Sequence, residues 1–145
     1  MTGVQTWALP ICLSDFDAAR ARRRAQTHRL YELVGDSPGL VRIEPGPAER
    51  PNDYSPVWRI DHLRPRGFAE HLARRGVLNS VGTFGLRAAP THPACQTLNP
   101  APCPNAAGAV DRLLAVVVHA DTTPAALERM AATIRKEAAE WATTA

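Results

Sequence analysis

The sequence predicts an α+β domain, with one small mixed or antiparallel sheet and helices mainly on one face. Three observations point there. Apolar residues recur at helical spacing near both ends of the chain, over about 15–34 and 124–141. Between them lie short β-branched or alternating runs, at Leu40–Glu44, Tyr54–Asp61 and Leu114–His119. The chain has 145 residues, 45% of them hydrophobic, which allows one compact domain. A domain of that size buries roughly 70% of the surface its unfolded chain exposes, so disulfides are not required for folding.

Met1–Ile11 reads MTGVQTWALPI and lacks the basic segment and small-residue cleavage site of a secretory signal. It closely resembles the conceptual translation of a short-read sequencing adapter. Residues 1–11 are therefore set aside as an artefact, and 12–145 is expected to be the tail of a longer protein. The alternative is a native edge strand carrying Trp7, Leu9 and Ile11.

Ser14 as N-cap, Asp17 in the first turn and an apolar stripe of Leu30, Leu33 and Val34 before Gly35 predict a helix over 15–34. Arg20, Arg22, Arg23 and Arg24 in its middle read as a solvated face rather than a phosphate-binding one, because on a helix they point in several directions. Leu40–Glu44 predicts a strand, and the proline-rich stretch 45–52 an exposed connector. Tyr54–Asp61 alternates, with Tyr54, Pro56, Trp58 and Ile60 on one side, so a half-buried strand pairing with the previous one is expected. Pro65 opens a helix over 65–75 in which Phe68 and Leu72 stack at i, i+4, and Gly76 suits its left-handed end.

Val77–Val81 is a further strand candidate. Gly82–Pro104 is loop, long for a structureless one, and so expected to be functional or covered by a missing partner. Asn105–Leu113 predicts a short helix, and Leu114–His119 a strand buried on both faces. Thr123 as N-cap and Pro124 at N1 start a last helix whose stripe runs Leu127, Met130, Ala131, Ile134, Ala138 and Trp141.

The chemistry these residues support by themselves is narrow. Neither GxGxxG nor GxxxxGK[ST] occurs, which excludes nucleotide binding by those routes. His28, His62, His71, His92 and His119 form no HxxxH or HExxH pair, so no metal is expected and the histidines read as surface or cap residues. No serine lies in a GxSxG elbow, and Asp121 beside His119 reads as part of a helix start rather than a triad. Cys12, Cys95 and Cys103 are odd in number, match no Cys-x-x-Cys pattern and fit a reducing compartment, hence the cytoplasm. No apolar run approaches the ~20 residues of a membrane helix.

The net charge is +3, and Lys136 is the one lysine among 17 basic residues. An arginine excess alongside so much alanine and proline reads as codon bias, and three surplus charges do not imply a polyanion. No catalytic, cofactor-binding or metal-binding residue is therefore expected in this chain.

From about Ala21 to Ile134 the order of segments resembles the C-terminal small domain of the DegT/DnrJ/EryC1/StrS sugar aminotransferases, a PLP-dependent family of fold type I. The segments are HRLYELV, YSPVWRID, RGFAEHLARRGV, HPACQTL and CPNAAGAVDRLLAVVVHADTTPAALERMAATI. The last is the most specific: in the family a PxA pair opens a helix, a strand follows, and a helix started by Thr/Pro closes the chain.

The resemblance implies a full-length parent, expected to be a homodimer, that moves an amino group from glutamate or glutamine to a keto group on a nucleotide sugar. Pyridoxal 5'-phosphate serves as electron sink. It also implies that the Schiff-base lysine and the acid facing the pyridine nitrogen belong to a missing N-terminal domain, so the chain alone is expected neither to hold PLP covalently nor to transaminate. Lys136 matches no such motif.

The family's small domain contributes one wall of the substrate cleft from the loop that here is Asn79–His92, NSVGTFGLRAAPTH. That loop departs from the family's Arg, His-Tyr and Pro-Leu-His signature; the His-Tyr pair falls near Phe84 and Gly85 and the later His near Pro90. Phe84 and Arg87 are the substrate-binding candidates, Arg87 because a guanidinium grips a carboxylate or phosphate in bidentate fashion. Two rival readings remain. A stand-alone α+β binding module would leave every face closed, and a nucleic-acid binder working through Arg20–Arg24, Arg74 and Arg75 would bind with steep salt dependence.

Overall fold

A computed structural model describes residues 15–49, 51, 53–98 and 101–144. The adapter-like segment, its edge-strand alternative and Ser14 lie outside them. Among the described residues four α-helices and three strands follow one another: α1 (Phe16–Val34), β1 (Leu40–Arg42), β2 (Val57–Ile60), α2 (Pro65–Arg74), α3 (Pro104–Asp111), β3 (Leu113–Ala115) and α4 (Pro124–Thr144). Two short 3-10 helices, Ala89–Thr91 and Pro93–Leu98, occupy the long connection between α2 and α3.

The sheet is antiparallel throughout, in the order β1-β2-β3. Leu40 pairs with Ile60, and Trp58 faces both Arg42 and Leu114. Directly paired residues share a face, so Leu40, Trp58, Ile60 and Leu114 present one apolar surface, and all four are buried. α1 covers it with Leu30 and Val34, α2 with Phe68, Ala69 and Leu72, and α4 with Leu127, Ala131, Ile134 and Ala138. The edge of Tyr31 meets Trp58 at 4.9 Å between ring centroids, and the Tyr31 hydroxyl accepts the Val57 N–H at 2.7 Å. Gln26 ties α1 to the turn before α4, donating to the Thr122 carbonyl at 2.8 Å.

Several expectations are corrected. Asp15, not Ser14, is the N-cap of α1, and its side chain makes no cap bond. Tyr54 lies outside β2 and is 61% exposed, with the Arg23 guanidinium stacked 4.5 Å from its ring centroid. Val77–Val81 forms no strand, because Asn79 folds its chain into a turn after one bridge to Val116. The run after Leu113 is not buried on both faces. Leu114, Val116 and Val118 point inward while Leu113, Ala115 and Val117 stay half-exposed, since among the described residues the core helices pack on the inner face. Of the two sheet forms expected, mixed or antiparallel, the described strands form the antiparallel one.

The α4 start holds as read, with Thr123 Oγ1 accepting the Ala126 N–H at 3.3 Å. Gly76 adopts φ +86° just past α2, a conformation that a side chain would disfavour.

Candidate functional site

The loop after α2 is built around Asn79, which is fully buried. Its amide donates to the carbonyls of Ala69 (2.9 Å) and Val77 (3.0 Å), and its side-chain oxygen accepts the Gly82 N–H (2.7 Å). The Asn79 carbonyl accepts Thr83 N–H at 3.1 Å, and Thr83 Oγ1 accepts Asn79 N–H at 3.0 Å. One side chain thus joins the loop to α2 while satisfying its own buried donors and acceptor.

Gly82 permits this closeness. A Cβ there would lie 2.3 Å from the Ala69 carbonyl oxygen. On the other side, Ser80 N–H donates to the Ala115 carbonyl (2.9 Å) and Val117 N–H to that of Leu78 (2.9 Å), so the loop root lies along β3.

This scaffold carries the sequence candidates. Arg87 is exposed and lines a shallow depression of about 520 Å³ together with Arg66, Glu70, Arg74, Gly82 and Thr83. Phe84 is 67% exposed and is not part of that lining. The structure therefore groups Arg87 with Arg66 and Arg74 and leaves Phe84 outside the group. Arg66 bonds to Glu70 (3.3 Å) and Asp111 (3.0 Å) and donates to the Leu86 carbonyl at 3.4 Å. Asn79 was legible in the sequence only as the start of the loop. Its buried role had one local signal, an Asn three residues before a Gly in a stretch ending with Thr83.

A second charged cluster joins α2 to α4. Glu137, 4% exposed, meets His71 Nε2 at 2.6 Å and Arg75 Nε at 3.3 Å. The hydrogen bond from His71, with the attraction of Arg75, holds the Glu137 carboxyl below its ordinary range. His62 is buried rather than a surface or cap histidine, with its ring 4.8 Å from that of Phe68 and no partner for Nε2 among the described residues. Burial pushes its pKa down.

Among the described residues no group of three His, Cys, Asp or Glu could hold a metal, and no helix is long and apolar enough to cross a membrane. Cys95 and Cys103 are free thiols. Lys136, the chain's one lysine, is 65% exposed on α4 with Glu140 at 3.8 Å. An exposed ammonium paired on a helix surface does not fit the role of a Schiff-base lysine, which needs a desolvated site.

No protein-family model and no curated protein sequence matches the chain. Solved structures do. The putative sugar aminotransferase Spr1654 from Streptococcus pneumoniae, in its apo form, superposes with a TM-score of 0.76 at 14% identity, over 92% of this chain and 34% of its own. The aminotransferase TlmJ from Streptoalloteichus hindustanus gives 0.72 at 23% identity, over 90% of this chain and 35% of its own. DesV from S. venezuelae, solved in complex with a ketimine intermediate, gives 0.68 at 19%, over 90% and 35%. The chain thus has a fold found in sugar aminotransferases and spans about a third of the length of the structures it matches.

Proposed function

We propose that this chain is the C-terminal small domain of a PLP-dependent aminotransferase of the DegT/DnrJ/EryC1/StrS type, separated from the domain that holds the cofactor. The observation that carries this reading is the coverage of the structural matches, nearly all of this chain against a third of each neighbour. Burial supports it. From Thr83 to Arg112, Ala88 is the one buried residue among those described, and the eight-residue α3 buries none. A segment of that length without buried contacts fits a surface that another body covers.

In this reading the parent transfers an amino group from glutamate or glutamine to a keto group on a nucleotide sugar, as a cytoplasmic homodimer. PLP supplies the electron sink in the missing N-terminal domain. Lys136, exposed and paired with Glu140, does not suit a Schiff base, and in this reading the share of this chain is to form one wall of the substrate cleft. Asn79 and Gly82 hold the loop against α2, and Arg87 presents a permanently charged planar donor at its edge. Phe84 offers an exposed aromatic face beyond that depression.

Recovering the upstream reading frame from genomic DNA tests the proposal. A large domain with a lysine in a fold type I setting, and transaminase activity of the joined protein with PLP, are expected. A native transcript that encodes residues 12–145 alone would overturn it. The stand-alone binding module draws support from the closed inner core, but the exposed 83–112 segment counts against it.

A further inference from the structure

We propose that the outer face of the sheet is a self-association surface, on which a second copy of this chain packs face to face about a two-fold axis. Strand register places Val41, Arg59 and Leu113 on that face, with Val57 beside Ala115. Asn79 bridges to Val116 and the Leu78 carbonyl accepts the Val117 N–H, so Leu78 and Val117 extend the same face by a further segment. Val41 and Leu78 are 41% and 43% exposed, and Val57, Leu113, Ala115 and Val117 are half-exposed. An antiparallel sheet with one face in water ordinarily alternates apolar inward and polar outward. Here those outward positions are apolar, and among the described residues the core helices pack on the opposite face.

The charged groups on this face select its occupant. Arg59 on β2 and Asp61 just past it share the outward side, and Arg59 donates to Asp61 through Nε and Nη2, each at 2.8 Å. Arg112 brings a second cation to within 3.6 Å of Asp61. The pair enters an interface already satisfied, so its burial strands no charge. An isologous contact needs a patch that complements itself. Two β2 strands running antiparallel across an axis near Ile60 set Arg59 against Asp61 of the partner subunit, with the aliphatic side chains packed on either side. A partner of a single charge sign would instead repel one member of the pair. The layers then run helices, sheet, sheet, helices, the two sheets stacked as in a β-sandwich. Fewer side chains are offered than the roughly 20–30 residues a side of a standard interface, so the dimer is weak and dissociates on dilution. The inference concerns the chain as it stands and does not rest on its being a fragment.

The test is sedimentation equilibrium of the purified 145-residue chain from micromolar to millimolar concentration, with backbone amide NMR over the same range. The mass is expected to rise from 15.7 kDa toward twice that value, with concentration-dependent shifts confined to the three strands and Leu78. Val41→Lys, Arg59→Asp and Asp61→Arg are each expected to weaken association about tenfold, and the double variant Arg59→Asp with Asp61→Arg to restore it, because the swapped charges again complement each other. Leu98→Ser, in the exposed arm and 77% exposed, leaves association unchanged. The shift map of the unaltered chain decides the matter even where a variant folds poorly. A monomer mass at every concentration, shifts that map to residues 83–112 or to α1, growth beyond a dimer, or a double variant no better than the single ones would overturn the proposal. None of these results bears on the fragment reading, which the upstream frame decides.

Discussion

Asn79 does for this chain what a longer run of strand would otherwise do. Its side chain satisfies one carbonyl on α2, one on its own strand-like approach and one loop N–H, all out of water. Asn79→Ala leaves those groups unpaired in a dry site, so a loss of about 2 kcal/mol or more is expected. The check is a lower denaturation midpoint at unchanged slope.

Two buried titratable groups set the acid response. Burial lowers the His62 pKa from its ordinary 6.5, so the fold favours neutral His62; that stabilisation is complete above about 6.5 and declines as pH falls below it. Glu137 is likewise held below its ordinary 4.5 by His71 and then Arg75, so its contribution is present above 4.5 and is lost as pH falls through its lowered value. Thermal midpoints recorded between pH 8 and 3 are expected to fall in two stages. His62→Leu removes the upper stage and Glu137→Gln the lower. A single stage unaffected by either variant would contradict this assignment.

Elements here are placed by close backbone approach as much as by apolar stripes. Gly82 lies against the Ala69 carbonyl, and backbone, unlike a flexible side chain, cannot swing aside. Gly82→Ala is expected to destabilise by about 1–3 kcal/mol and to shift the amide resonances of Val81–Arg87, whereas Gly108→Ala in the exposed α3, where a Cβ meets nothing within 4 Å, is expected to be neutral or stabilising. Comparing the two by NMR and urea unfolding separates a packing effect from a general glycine effect.

At this scale α1, α2 and α4 were readable because their apolar spacing, proline starts and the Gly76 stop are local properties. The ends of the strands were not. A strand's length is set by the partner it finds, and β1 pairs with β2 over three residues, Leu40–Arg42.

For the molecule as a whole, the division between a closed core and an open arm has a kinetic consequence. The inner face of the sheet is sealed by three helices, while residues 83–112 bury one side chain among those described. Local opening follows buried contact, so limited proteolysis of this chain is expected to cut first within 83–112 and to leave α1, α2 and α4 protected. In the joined parent proposed above the same segment is expected to become resistant; cleavage within α1 before the arm would count against the covered-surface reading.

The sequence by itself determined the α+β class, the order of the helices and of the three paired strands, the apolar stripes and the loop that carries Arg87, since each is written in local spacing and turn chemistry, but it also offered a strand at Val77–Val81 that does not form. Only the tertiary structure decided that Arg87 joins Arg66 and Arg74 while Phe84 does not, that Asn79 holds the loop on α2, and that His62 and Glu137 are buried. Those facts depend on residues far apart in the chain meeting across packed elements, and periodicity carries no information about which side chains meet.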